Sequence, residues 1–191
     1  MNVGVFGGSF DPVHVGHLIV AEAAADALAL HEVRFVPANV QPLKRGQHGA
    51  GGAARLAMLE LAIAANPRFV ADDRELRRPP PSYTVDTLQA LHDEGSRDRL
   101  FFLVGADAAR DFRSWRAPET IARLATVVVL TRPGAAVPSD ALIDRCLDVP
   151  AVDLSATDVR DRCRAGRSIR YLVPDPVRAY IAERGLYTEG S

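Results

Sequence analysis

Residues 2–20 read NVGVFGGSFDPVHVGHLIV: an apolar run, a glycine-rich polar loop, then the start of a second apolar pattern. NVGVF has the short, uninterrupted character of a strand buried on both faces. HLIVAEAAADALAL places Leu18, Ala21, Ala25 and Leu28 on one side of a helix. Between the two lie Gly7, Gly8, Asp11, Pro12, His14 and His17. A loop that only connects elements needs none of that chemistry. Glycines directly after a strand admit a positive φ and let a ligand approach the backbone. A helix starting near Val15 to His17 turns unpaired amides and the positive end of its dipole toward one spot, which suits an anion. His14 and His17 are three apart, so they project to the same side of that first turn, where imidazoles can donate hydrogen bonds to anionic oxygens.

The remaining chain repeats the strand–helix alternation. EVRFVP reads as a second strand, followed by ANVQPLKRGQHGAGG, a polar connection longer than an ordinary turn. The helix AARLAMLELAIAAN ends at Pro67, and RFVAD is a third short strand. RRPPPS is a rigid approach to the helix YTVDTLQALHDEG, with Ser82 or Thr84 as its N-cap and Gly95 as its stop. RLFFLVG reads as a central strand, ADAARDFRSW and PETIARLA as helices, and TVVVLTRPG as a buried strand ending in a turn. AVDLS fits a last strand; ATDVRDRCRAG and DPVRAYIAERG are closing helices that stop at Gly166 and Gly185. These units predict an α/β fold: a Rossmann-like, doubly wound parallel sheet with helices on both faces and right-handed crossovers. No repeat or dividing linker is visible, so residues 1–191 are expected to form a single domain whose C-terminal part, about 155–191, is helical. In such sheets a ligand sits beyond the carboxyl ends of the strands, near the switch in strand order. Every unusual loop of this chain falls at such an end.

Composition narrows the classes. Of 191 residues, 48% are hydrophobic and 25% charged, and the net charge of −1 leaves no basic surplus for a nucleic-acid backbone. Lys44 is the only lysine, so the positive charge is nearly all arginine. Cys146 and Cys163 form neither a close-spaced metal motif nor a disulfide framework, which suits a reducing compartment. The chain opens without a basic leader, and Glu22 and Asp26 interrupt the alanine-rich stretch, so neither a signal peptide nor a membrane span is expected. A cytoplasmic protein follows. The loop lacks the spacing of G-x-G-x-x-G and the Lys-Ser/Thr of a P-loop, against a dehydrogenase or P-loop kinase. Two further clear ligands for zinc are missing, so no metal ligand is assigned.

GGSFDPVHVGHL, with His14-Val15-Gly16-His17 intact, resembles the signature of the nucleotidylyltransferase superfamily. The later stretches PSYTVDTL, FFLVGADAARDFRSW, LTRPG, DLSATDVR and LVPDPVRAYIAERGLY resemble, in order and spacing, the bacterial nicotinate mononucleotide adenylyltransferases. That resemblance implies an enzyme using ATP and Mg²⁺ to convert nicotinate mononucleotide to nicotinate adenine dinucleotide, with pyrophosphate released. It places Gly7, Gly8, Ser9, Phe10, His14 and His17 at the ATP phosphates and the adenosine end. Gly105 and Asp107 fall on a ribose-contacting turn; Arg132, Ser155, Thr157 and Arg160 form the remaining ATP wall. Ser82, Tyr83, Thr84 and Trp115 fall on the mononucleotide side, with Trp115 stacking on the pyridine ring. Lys44, with Arg45, reaches the mononucleotide phosphate. His17, His14 and Arg160 carry the catalytic role in this carry-over.

Two departures lie on the mononucleotide side. Leu43 stands where the family has a histidine, and either Ala38 or Asn39 occupies the place of an asparagine near the start of that loop. Acceptors to distinguish are therefore nicotinate mononucleotide, nicotinamide mononucleotide and phosphopantetheine. A non-catalytic nucleotide sensor is the alternative from another class, and oligomeric state, a homo-oligomer included, is left open.

Overall fold

Strands with long apolar runs occupy the middle of one sheet. The computed structural model describes residues 1–40, 49–95, 97–131 and 140–188. Its strands are β1 (Asn2–Gly8), β2 (Glu32–Pro37), β3 (Phe69–Ala71), β4 (Arg99–Gly105), β5 (Thr126–Thr131) and β6 (Arg145–Asp148). Its helices are α1 (Val15–Ala27), α2 (Gly52–Ile63), α3 (Arg74–Arg77), α4 (Thr84–Glu94), α5 (Ala106–Ala109), α6 (Pro118–Leu124), α7 (Ala156–Arg164) and α8 (Asp175–Glu183). The strands pair in parallel in the order β3-β2-β1-β4-β5-β6. The order reverses between β1 and β4, as expected of a doubly wound sheet.

Successive strand residues point to opposite faces, and two apolar cores result. Phe6, Phe35, Phe101, Leu103, Val128 and Leu130 meet α1, α2, α7 and α8 on one face. Val3, Val5, Val36, Phe102, Val104, Val127 and Val129 meet α4, α5 and α6 on the other. The crossover from β3 to β4 carries the chain from one face to the other, which is why the start of α1 and the end of β4 border one crevice. None of the helices among the described residues is long and apolar enough to cross a membrane.

Three elements differ from the sequence reading. AVDLS is not a strand; the sixth strand is Arg145–Asp148. It is a largely exposed edge strand, so no apolar run marks it. ADAARDFRSW is broken into α5 and a 3₁₀ turn at Phe112–Ser114. Ala109 and Phe112 are its only fully buried side chains, too few to hold a continuous helix against its entropy. α3 interrupts the stretch before the prolines, with Glu75 turned into the protein.

Leu88 on α4 is fully buried in the second core. Leu88→Ala should cost about 2–5 kcal/mol in urea unfolding; a loss under about 1 kcal/mol would contradict the packing of α4 on the sheet.

Candidate active site

The β1–β4 ladder ends before its strands do. Its last pair is Phe6 with Leu103, whereas β1 continues beside β2 to Gly8–Pro37 and β4 continues beside β5 to Gly105–Leu130. The sheet therefore parts over its last two residues at the reversal in strand order, the place where a doubly wound sheet forms its ligand crevice. A Cβ built on Gly7 or Gly105 would meet nothing within 4 Å, so both glycines face open space. Neither Gly7 nor Gly8 takes a positive φ; the left-handed residue of the loop is Phe10, at φ 47°. Its ring is not aimed at a ligand, being 1% exposed and packed edge-on against Phe6 and His17. Only the backbone of Phe10 remains for a binding role.

α1 begins at Val15, with His14 as its N-cap. Of its first amides, Val15 N–H donates to the Leu172 carbonyl and His17 N–H to the His14 carbonyl, both at 3.0 Å. The helix start is thus less open than an isolated one. The two rings are stacked, with centroids 3.7 Å apart. Gly16 makes this arrangement fit, because a Cβ there would come within 3.0 Å of the His14 ring. His17 Nδ1 accepts the His14 backbone N–H at 3.2 Å. An accepting Nδ1 carries no proton, so neutral His17 must hold its proton on Nε2 as a donor. Burial pushes His14 down to about 4, against a smaller upward pull from Asp158. Burial, and then the neighbouring His14 ring, push His17 well below the usual histidine range. The unliganded pair is uncharged at neutral pH and presents hydrogen-bond donors to an anion. His14 Nδ1 is buried and without a protein partner among the described residues.

α7 approaches from the C-terminal part of the chain. Ser155 caps it: Asp158 N–H donates to Ser155 Oγ at 3.1 Å, and Asp158 in return accepts from the Ser155 N–H and hydroxyl. Arg160 lies on the first turns of this helix and is not a solvated face residue. Its guanidinium donates to the Asp11 carbonyl at 2.7 Å and to Thr157 Oγ1 at 3.1 Å. The structure therefore brings Ser9, His14, His17, Ser155, Thr157 and Arg160 around one cleft edge. Gly105 is the N-cap of α5 at the opposite edge, and Asp107 follows it with its side chain 95% exposed, facing Arg110 at 3.4 Å. Arg132, Lys44 and Arg45 lie outside the described residues.

The other expected side gathers around the start of α4. Neither Ser82 nor Thr84 caps it: Tyr83 is the N-cap, with no side-chain hydrogen bond. Ser82 Oγ instead accepts the Asn39 N–H at 3.0 Å, and Ser82 N–H donates to the Val40 carbonyl. Of Ala38 and Asn39, Ala38 is buried and Asn39 donates its side-chain amide to the Arg78 carbonyl at 3.0 Å. Tyr83 carries the Arg116 guanidinium over its ring. Trp115 is half-buried, edge-on to Phe102 and Phe112, and its indole N–H is buried without a partner among the described residues.

Several residues here have a place that the sequence pattern alone does not assign. Arg55 is 1% exposed and donates to the carbonyls of Ser9, Ala50 and Asn39. Its signal was present, because Arg55, Met58 and Leu59 share one helical face and a lone cation on an apolar stripe is unusual. Glu75 is also buried, and desolvation raises its carboxyl against the Thr87 hydroxyl, which donates to it at 2.6 Å. Asp11 Oδ1 accepts from the Tyr187 hydroxyl at 2.7 Å, a pairing across 176 positions that no local pattern announces.

Residues 5–162 match a family model described as cytidylyltransferase-like. A relative from Roseiflexus sp. (strain RS-1), named "Probable nicotinate-nucleotide adenylyltransferase", is 46% identical over 97% of both chains. One of the same name from Thermus thermophilus is 46% identical over 98% of this chain and 100% of its own. The fold is similar to that of a nicotinic acid mononucleotide adenylyltransferase from Plasmodium falciparum, solved in complex with NaAD, at TM-score 0.78 and 18% identity over 97% of both chains.

The lowered His14 value has a consequence for stability. Its folded pKa lies near 4 against an ordinary 6.5, so the unfolded chain binds more protons between those values. This contribution is fully present above pH 6.5 and is lost as pH falls toward 4, on the order of 3 kcal/mol. Urea unfolding at pH 7 and pH 4.5 should show a smaller acid loss for His14→Gln than for the wild type; equal losses would contradict it.

Proposed function

The chain belongs to the cytidylyltransferase-like family, alongside relatives named as nicotinate-nucleotide adenylyltransferases, and from that premise we propose that it joins ATP and nicotinate mononucleotide. The products are nicotinate adenine dinucleotide and pyrophosphate, a step of NAD biosynthesis, carried out by residues 1–191 as one nucleotidylyltransferase domain. The observation that carries this proposal is the parted sheet end beside the His14–His17 pair, where a helix start and two stacked imidazoles meet.

The chemistry asks for little acid–base help. The attacking group is a phosphate monoester, largely dianionic at neutral pH because its second pKa is about 6. It must approach the α-phosphorus of another anion, so the protein's task is in-line positioning and donors that meet the developing charge. His17 Nε2–H stands nearest the α-phosphate, with His14 toward the β- and γ-phosphates. Gly7, Gly8 and Ser9 line the phosphate side through their backbones. Arg160, anchored at two of its nitrogens, has N–H donors left to direct at the triphosphate. Ser155 and Thr157 hold the start of α7, and Gly105 with Asp107 forms the ribose edge.

Ser82, Tyr83, Thr84 and Trp115 form the acceptor side, with Lys44 and Arg45 at the mononucleotide phosphate. Among the described residues no three His, Cys, Asp or Glu side chains gather into a metal cage. Magnesium would enter with ATP and supply charge neutralisation at its phosphates.

Incubation with ATP, Mg²⁺ and a panel of acceptors, read by pyrophosphate release, should single out nicotinate mononucleotide. Preference for nicotinamide mononucleotide or phosphopantetheine would reassign the acceptor, and ATP binding without release for any acceptor would favour a sensor. His17→Ala should lower turnover by about a hundredfold or more with the fold intact by circular dichroism; near-normal turnover would remove His17 from the mechanism. Trp115→Ala should weaken mononucleotide binding by about 1–3 kcal/mol and leave ATP binding unchanged by calorimetry. An equal loss of both ligands would contradict a two-sided site.

A further inference from the structure

Beneath the cleft lies a buried polar node that the proposed chemistry does not use directly. The Asp11 carboxylate, in a residue 2% exposed, accepts the Gly49 N–H at 2.6 Å, the Ala50 N–H at 3.0 Å and the Tyr187 hydroxyl at 2.7 Å. Arg55 donates to the Ser9 carbonyl at 2.7 Å, the Ala50 carbonyl at 3.2 Å and the Asn39 carbonyl at 3.4 Å. The Asp11 carbonyl takes the Arg160 guanidinium. Space is closed around the node: a Cβ on Gly49 would lie 2.9 Å from the Tyr187 ring and 3.0 Å from Arg160 Cδ.

The segments joined are telling. Ser9 and Asp11 belong to the loop between β1 and α1, on the triphosphate side. Asn39 is bonded to Ser82 at the start of α4, on the acceptor side. Gly49 and Ala50 lead into α2, and Tyr187 follows α8. We propose that Asp11, Arg55 and Tyr187 act together as a positioning unit that fixes the triphosphate loop relative to the acceptor side, so that the two substrates meet in line.

Stability alone does not account for an arginine here. Arg55 shares its helix face with Met58 and Leu59, where an apolar side chain would pack without the desolvation cost of a cation. Burial pulls the Arg55 guanidinium down, while Asp11 and Tyr187 counter it. What arginine adds is a planar fork that binds several carbonyls at fixed angles. Lysine keeps the charge and loses the fork.

This inference rests on the proposed adenylyl transfer, and its signature is a split between turnover and affinity. Each substrate keeps its own binding groups when the node is loosened, while their mutual alignment is lost. Steady-state kinetics of the full chain, with ATP and nicotinate mononucleotide varied in turn, should show kcat reduced by about a hundredfold in Arg55→Lys, as expected for misplacement near 1 Å. Both KM values should stay within about threefold of wild type. Tyr187→Phe, which preserves shape and removes one hydrogen bond, should lower kcat by about tenfold with the same split, and it keeps the test valid should Arg55→Lys fail to fold. Unchanged kcat below the melting transition, with only a lower Tm, would overturn the proposal, as would a rise in both KM values at constant kcat. A wild-type protein that makes no dinucleotide overturns the functional reading beneath it, and this inference with it. Active wild type beside variants of normal kcat overturns the inference alone.

Discussion

β1 is paired on both sides, and the chain winds away from it in opposite directions, first through β2 and β3, then through β4 to β6. Neither set of crossovers can cover the turn after β1. The parallel ladder between β1 and β4 stops at Phe6 and Leu103, so the two central strands part where that turn leaves the sheet. This constraint supplies the cleft, and the loop from Gly7 to His14 fills its rim. Everything placed around it, from the start of α1 to the start of α7, is positioned by strands that cannot shift without breaking two cores.

The proposed anion site has to reconcile burial with charge. Two protonated imidazoles stacked 3.7 Å apart would repel each other, and the protein avoids this by holding both neutral. His14 spends its backbone N–H on His17 Nδ1, which fixes the His17 proton on Nε2. A preset donor costs no reorganisation when charge develops on a nearby phosphate. The fixed positive charge comes from Arg160, tied down by Asp11 and Thr157, and from the start of α1.

The sheet was readable from sequence because β1, β4 and β5 are buried on both faces and leave continuous apolar runs. β6 escaped because an exposed edge strand carries no such mark. The loop at Gly7–His17 announced its position through the joint occurrence of glycines, Asp11 and two histidines between a strand and a helix. Its working details did not follow from that pattern. The left-handed residue is Phe10 and not a glycine, and the Ser82 hydroxyl oxygen accepts the Asn39 N–H in place of capping α4. Both depend on partners that folding brings in. The bond from Tyr187 to Asp11 spans nearly the whole chain and has no local signature. Arg55 is intermediate: its place on an apolar stripe was visible, and the three carbonyls it serves were not.

Where a triphosphate settles decides the mechanism. A crystal structure of the protein with Mg²⁺ and a non-hydrolysable ATP analogue should place the α-phosphate within hydrogen-bond distance of His17 Nε2, in the cleft between the ends of β1 and β4, with Arg160 along the phosphate chain. A triphosphate bound elsewhere, with the His17 ring still packed against Phe10 and the His14 ring, would contradict it.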